Sequence, residues 1–332
     1  MVVALVTGAT GQDGSYLCEQ LAAEGVEIHA LVRPGGAGEP VDAGIAAVSA
    51  AVPGVVWHEA DLSDTAALAG LVERVAPDEI YNFGGISSVA QSWRDPVTTG
   101  SVTGVAVATL LDAAWRLQES SGRRVRFVQA SSAEIFGDAP TVPQDETTPV
   151  HPRSPYGAAK AYAHQMVDIY RSRDLHAATV ILYNHESPRR PTTFVTRKIT
   201  HAAARIGAGL DDAVTLGSLD VTRDWGWAPD YVAAAVAALR HGSPDDFVVA
   251  TGVPHTVADF VRLALAEVGI DDWEPRVRTD PAFVRPAEAA VQLGDATKAA
   301  RELGWVPTTA FEGVVAAMVA HDVELLGAQQ RA

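Results

Sequence analysis

Directly after an apolar run at Val2–Val6 the chain reads Thr7-Gly8-Ala9-Thr10-Gly11-Gln12-Asp13-Gly14, and a helical pattern opens inside that string. Glycines at this spacing between a strand and a helix constrain the fold more than any other feature. They let the backbone turn tightly, approach an anion closely and pack helix on strand. The helix N-terminus behind them offers unbonded N–H groups and the positive end of its dipole. The spacing is GxxGxxG rather than the commoner GxGxxG, but the strand–turn–helix context is the one a dinucleotide site requires. Gly8, Thr10, Gly11, Gln12, Asp13 and Gly14 are therefore expected to hold a dinucleotide pyrophosphate.

The first half of the chain continues in the same style. Short apolar runs at Ile28–Val32, Val55–Trp57, Glu79–Asn82, Val125–Gln129 and Ala177–Leu182 alternate with helical patterns around 13–24, 65–75, 97–117 and 157–172. Strand–helix alternation with few hairpin signals predicts parallel strands joined by crossover helices, an α/β doubly wound parallel sheet of Rossmann type. Beyond residue 184 prolines interrupt the pattern and basic residues become dense. The expected division is a dinucleotide-binding domain over 1–183 and a smaller substrate-binding lobe over 184–332. A helix at 229–241 and a strand at Asp246–Ala250 should return to the first sheet. Residues 34–46, rich in Gly and Pro, are expected to form a surface loop.

Composition narrows the partners. The 332 residues carry 25 basic and 41 acidic side chains, a formal net charge of −16. Such a chain lacks the basic face that binding to nucleic acid needs, although a local cluster of basic residues still suits a small anion. Cys18 is the single cysteine, so no internal disulfide is possible and an oxidising compartment is not indicated. No signal peptide is read, and no apolar stretch approaches the roughly 20 residues that span a bilayer. The expectation is a cytoplasmic protein with neither membrane nor metal as a partner.

The second strand ends in Leu31-Val32-Arg33. An acid at this place accepts from a ribose 2′-hydroxyl, whereas an arginine pairs a 2′-phosphate, so Arg33 points to NADP. Asp61 and Leu62 follow the third strand, where an adenine edge would lie. Phe83, Gly84, Gly85 and Ser87 follow the fourth toward the same ligand.

The fifth strand runs into Ala130-Ser131-Ser132-Ala133-Glu134, and downstream stands Ser154-Pro155-Tyr156-Gly157-Ala158-Ala159-Lys160. Tyr156 and Lys160, four apart, share a helix face. A tyrosine with an ordinary pKa of about 10 needs roughly 4 kcal/mol of differential stabilisation to act as a base near neutrality. A neighbouring ammonium and a positive nicotinamide ring favour the phenolate. Ser132 is placed to hydrogen-bond the same substrate hydroxyl.

Together, Gly8–Gly14, Tyr156 and Lys160 resemble an extended short-chain dehydrogenase/reductase. Longer strings are similar to the GDP-mannose 4,6-dehydratase family: TGATGQDGSYL (7–17), SPYGAAKAYAH (154–164), NHESPRRPTTFVTRKIT (184–200), RDWGWAPDYV (223–232), RP-x-E (285–288) and GD-x-x-KA (294–299). The match runs nearly end to end, and NHESPRR is its most discriminating part. The resemblance implies that Tyr156, helped by Ser132, takes the C4 hydroxyl proton of GDP-mannose while hydride passes to NADP⁺. Glu134 removes the C5 proton, the C6 hydroxyl leaves as water, and the hydride returns to C6. It further implies that His185 and Arg190 contact the cofactor. Ser87, Ser132, Glu134, Asn184, Val195, Lys198, Gly217, Arg223, Arg285 and Glu288 hold the GDP-sugar. For Arg189 and Arg197 a ligand role and a structural ion pair stay open.

Three positions depart from the family's pattern. A second arginine commonly follows the first after the second strand, helping to build a tetramer; here it is Pro34. A homodimer through the helices near 97–117 and 157–172 is expected, with a homotetramer as the alternative. Ala133 stands where the family often has Ser and where deoxythymidine-diphosphate-glucose dehydratases carry an acidic Asp, which argues against that substrate. Ser101 replaces an asparagine usual in the helix after the fourth strand. The rival readings are another nucleotide-sugar epimerase or decarboxylase of the same superfamily, and a nonenzymatic dinucleotide sensor. The sensor predicts loss of Tyr156, Lys160 or Glu134, and all three are present.

Overall fold

Each apolar run becomes a strand of one parallel sheet. In the computed structural model, which describes residues 1–35, 40–283 and 291–329, these are β1 (Val3–Thr7), β2 (Glu27–Val32), β3 (Val56–Glu59), β4 (Glu79–Asn82), β5 (Arg126–Ser132) and β6 (His176–Leu182). The crossover helices are α1 (Gln12–Ala23), α2 (Pro40–Ala51), α3 (Thr65–Val75), α4 (Val89–Arg94), α5 (Pro96–Gly100), α6 (Ala106–Ser121) and α7 (Pro155–Arg171). Later in the chain come β7 (Asn184–Glu186), α8 (Val195–Gly207), β8 (Val214–Leu216), β9 (Thr222–Trp227) and α9 (Ala228–Arg240). They are followed by β10 (Asp246–Val249), β11 (Pro254–Thr256), α10 (Val257–Ala266), β12 (Val277–Thr279), β13 (Val291–Gln292) and α11 (Phe311–Gln329).

The main sheet has the order β3-β2-β1-β4-β5-β6-β10. Strand order reverses beside β1, which opens a crevice at the carboxyl ends of the strands where open α/β sheets bind ligands. Both faces are covered, and alternate residues serve opposite cores. Ala4 and Val6 pack with Leu17 and Leu21 of α1 and Leu239 of α9. Leu5 packs on the other side with Leu68 of α3, Leu110 of α6 and Val167 of α7. Two-sided burial is why these strands read as continuous apolar runs. Late in the chain, β10 pairs with β6 in parallel, and α9 packs against α1. A third core, built from α8, α10 and α11 around Trp225, lies beside a smaller sheet ordered β11-β9-β13, to which β7 adds by pairing with β9.

One sequence expectation is corrected. The Gly/Pro stretch 34–46 is not loop throughout, because α2 starts at Pro40. Proline pre-sets the first helical turn, and Gly44 is a packing glycine: a Cβ there would stand 2.8 Å from Thr10 Cβ. The helix expected near 97–117 is present as a continuous run that widens into a π-turn over Ser101–Val105. That composite helix, Pro96–Ser121, is long and apolar enough, by length and composition alone, to match a membrane span. In this fold its apolar residues Val107, Leu110, Leu111 and Ala114 face the second core, which accounts for the composition.

Candidate active site

The glycine turn is built by close approach. Gly8 has φ +70°, and a Cβ there would lie 2.8 Å from the backbone carbon of Phe83. A Cβ on Gly14 would meet the Gly8 carbonyl oxygen at 2.2 Å, so only glycine lets α1 sit this close to the turn. Gly11 is the N-cap of α1 and makes no side-chain cap bond, so the N–H groups of the first helical turn take no acceptor from it. A glycine cradle that a Cβ would fill, at an uncapped helix start, fits a pyrophosphate. Below it, Gly84 N donates to Thr7 Oγ1 at 2.9 Å, and Leu62 packs against Gly84. Gly85 stands against Thr103, whose Oγ1 accepts from Ile86 N at 3.0 Å. The π-turn thus puts Thr103 against the Phe83–Ser87 loop, while Ser101 merely donates to Val97 O at 3.1 Å. At the end of β2, Arg33 is exposed and lies within electrostatic reach of Asp61. Hydrogen bonds from Ser63 Oγ and N hold the Asp61 carboxyl below its usual range, with Arg33 adding to the effect.

At the other end of the crevice, Ser132 closes β5 and its Oγ accepts from Glu134 N at 3.3 Å. Ser154 caps α7, accepting from Gly157 N at 3.0 Å, and Pro155 occupies the first turn. A Cβ on Gly157 would stand 2.5 Å from the Glu134 carbonyl oxygen, so this glycine seats the start of α7 against the Ala133–Ile135 turn. That contact brings Tyr156 onto Ser132. Burial pushes the Tyr156 phenol up to about 12; the Ser132 hydrogen bond works against this and the Glu134 carboxylate adds to it. Lys160 lies one turn on, its Nζ donating to Ala130 O at 2.6 Å and standing 5.8 Å from the Tyr156 ring centre. Burial pulls its ammonium down to about 8. Ala133 is buried in the first core and offers no acid.

The NHESPRR string forms the opposite wall. Asn184, His185 and Glu186 make up β7. His185 Nδ1 lies 2.7 Å from Tyr183 O and Nε2 3.0 Å from Asp13 Oδ2, with the ring stacked on Tyr231. Gln12 Nε2 donates to His185 O at 3.1 Å, and Ser187 Oγ donates to Gln12 Oε1 at 2.9 Å. Arg190 pairs with Glu186 at 3.3 Å and stacks on Phe194. The two open arginines prove to be ties. Arg189 bonds Ser15 Oγ and Glu19 of α1 at 3.0 and 2.6 Å over the Tyr16 ring, and Arg197 forms a buried ion pair with Asp322 of α11.

One cavity is lined by Asp13, Phe83, Ser87, Ser132, Glu134, Tyr156, Lys160, Asn184, His185, Arg190, Val195, Gly217 and Arg223. Arg223 is buried there, its Nη1 donating to Thr222 O at 2.8 Å. Lys198 does not line the cavity itself; its Nζ sits 3.9 Å over the ring of Phe283, which does. Gly8, Thr10, Gly11, Gln12, Gly14, Arg33, Asp61, Leu62, Gly84 and Gly85 are not among its lining residues; they follow the carboxyl ends of β1 to β4 in the chain, next to the lining residues Asp13 and Phe83. Arg285 and Glu288 lie outside the described residues. Sequence reasoning missed Gln292, whose Nε2 donates to Glu134 Oε1 at 3.2 Å, and the wall residues Thr193, Ser218 and Trp225. Thr193 and Trp225 fall inside the quoted strings 184–200 and 223–232, whereas Gln292 and Ser218 carry no local pattern.

A family model described as GDP-mannose 4,6 dehydratase matches residues 5–318. GDP-mannose 4,6 dehydratase 2 of Arabidopsis thaliana is 43% identical over 334 residues, covering 97% of this chain and 87% of its own. GDP-mannose 4,6-dehydratase of Yersinia enterocolitica is 42% identical over 353 residues, covering 98% and 94%. Among solved structures, the UDP-glucose 4-epimerase of Thermus thermophilus in complex with NAD superposes with a TM-score of 0.80 at 26% identity, covering 97% of this chain and 99% of that one.

Proposed function

Because the chain belongs to the GDP-mannose 4,6-dehydratase family, we propose that it converts GDP-mannose to GDP-4-keto-6-deoxymannose with NADP as a retained cofactor. The observation that carries this reading is the convergence of Tyr156, Ser132 and Glu134 on one cavity whose far end adjoins the glycine cradle. When bound, the nicotinamide dinucleotide supplies a positive ring and a place to keep the C4 hydride until C6 takes it back.

The protein's own groups do the proton work. Tyr156 takes the C4 hydroxyl proton and Ser132 holds that oxygen. Tyr156 is buried with its phenol near 12, so it needs more positive charge than Lys160, bonded to Ala130 O, delivers alone; the pyridinium ring is the complement. Glu134 then takes the C5 proton, the C5–H electron pair becomes the C5–C6 double bond, and the C6 hydroxyl takes a proton from Glu134 or a water and leaves as water. With hydride restored to C6 and a proton to C5, the net change is loss of one water. Arg33 at the end of β2 supports NADP over NAD through the 2′-phosphate. In this reading residues 1–183 hold the dinucleotide, and 184–332 hold the GDP-sugar through Asn184, Val195, Lys198, Gly217 and Arg223. Val105, Tyr162 and Ile169, exposed on the outer faces of the helices near 97–117 and 157–172, support pairing of two copies there.

Incubation with GDP-mannose and catalytic NADP⁺, read by mass spectrometry, tests the proposal. A product lighter by one water without net NADPH is expected. An unchanged GDP-mannose peak from folded, cofactor-loaded protein overturns the substrate assignment and directs the search to epimerase and decarboxylase substrates.

A further inference from the structure

Glu134 must be a base and then release its proton, so its carboxylate has to be aimed without being locked in one charge state. Among the described residues, its one side-chain partner is Gln292, whose Nε2 donates to Oε1 at 3.2 Å across 158 residues of chain. Gln292 is 3% exposed and is fixed on both sides. It stands opposite Arg223 in the β13–β9 pair. The next residue, Leu293, accepts from Gln144 N at 2.8 Å, and Gly294 N donates to the buried Asp224 carboxylate at 3.4 Å. A rigid strand end therefore delivers one amide to one carboxylate oxygen inside the cavity.

We propose that Gln292 is a positioning residue for water elimination, turning the Glu134 carboxyl so that Oε2 faces the substrate's C5–H. The amide N–H engages Oε1 and so fixes the plane of the carboxyl group. Being neutral, it holds that oxygen more weakly than the charge-assisted bond of a lysine or arginine would. Arg223, its cross-strand neighbour, reaches the same wall, so one strand pair carries both a diphosphate-binding cation and the orienting amide.

The inference rests on the proposed dehydratase reading, and the experiment separates the two. Gln292→Leu keeps size and removes the donor; Gln292→Glu puts a second carboxylate against the first. For Gln292→Leu, kcat should fall on the order of tenfold with KM little changed, as expected for loss of one positioning hydrogen bond of about 1 kcal/mol. Gln292→Glu should lower kcat further. Because elimination alone is slowed, absorbance at 340 nm should build up during turnover and exchange of solvent deuterium into C5 should slow, neither of which a general loosening of the strand produces. Melting temperatures identify a variant that fails to fold, and the other variant then carries the comparison. If the wild type releases no dehydrated sugar, the dehydratase reading falls and takes this inference with it. If the wild type does, and the folded variants keep its kcat and its 340 nm baseline, the role of Gln292 alone is overturned.

Discussion

The His185 imidazole is held between two oxygen acceptors, Asp13 Oδ2 at 3.0 Å from Nε2 and the Tyr183 carbonyl at 2.7 Å from Nδ1. Neither acceptor can donate, so both ring nitrogens must carry hydrogen for both contacts to be bonds. Burial opposes charge on His185, yet the Asp13 carboxylate and its hydrogen bond more than offset this and raise its pKa. Burial likewise works to raise the Asp13 carboxyl, and the same histidine brings it below its usual value. The pair joins α1, just past the glycine turn, to β7 of the NHESPRR string.

This clasp has a defined pH window. The raised His185 contributes stability fully present below its unfolded value of about 6.5 and lost as pH rises through its folded value. The lowered Asp13 contributes stability present above its unfolded value and lost as pH falls through its folded one. The two overlap between about pH 4 and 6.5. Asp13→Asn should cost about 1–3 kcal/mol in that range, less at higher pH. Urea unfolding of both proteins at pH 5.5 and 9 checks this; an equal loss at both would disprove the ionic account.

Lys160 makes the opposite trade. Its ammonium is buried and brought down to about 8, so below that pH the fold bears the cost of keeping it charged. With about 1.4 kcal/mol per pH unit, the cost is roughly 3 to 4 kcal/mol at pH 7 and disappears as pH rises from 8 to the unfolded value near 10.5. Lys160→Met should therefore raise the melting temperature of the unliganded protein at pH 7 while lowering kcat at least a hundredfold. A variant destabilised at pH 7 would mean that the bond to Ala130 O outweighs the burial.

Much of this architecture was legible because parallel strands covered on both faces leave apolar runs, and β4 spans the very run read at Glu79–Asn82. Tyr156 and Lys160 were legible because helical spacing is a local property. The π-turn at Ser101–Val105 was not, since it is coupled to Thr103 meeting the Ile86 backbone. Gly44 was misread as a loop former because its reason, contact with Thr10, lies on another element. Gln292 carries no motif at all, and the fates of Arg189 and Arg197 depended on Glu19 and Asp322, far off in sequence.

Arg33 gives the cofactor preference a direct test. A guanidinium–phosphate bond is worth about 1.5–3 kcal/mol, so Arg33→Ala should weaken NADP⁺ binding roughly 10- to 100-fold and leave NAD⁺ binding nearly unchanged. Calorimetric titration of the cofactor-free protein with each dinucleotide measures both. Equal losses for the two would remove Arg33 from 2′-phosphate recognition.

Arg197 and Asp322 predict a different pattern, because their pair is buried and far more structural than its place in a ligand-binding string implies. Arg197 Nε also donates to Arg190 O at 3.0 Å, so the guanidinium ties the Arg190 loop through α8 to α11. Removing one partner leaves the other charge buried and should cost about 3–5 kcal/mol, whereas apolar replacement of both is often neutral or better. Asp322→Leu and Arg197→Met should each lower the urea midpoint sharply, and the double variant should recover much of the loss. The folded single variants, assayed at low temperature, should bind GDP-mannose within about threefold of wild type, since within 1 kcal/mol no direct contact has been lost. Stable Arg197→Met protein with much weaker sugar binding would instead make Arg197 a ligand residue.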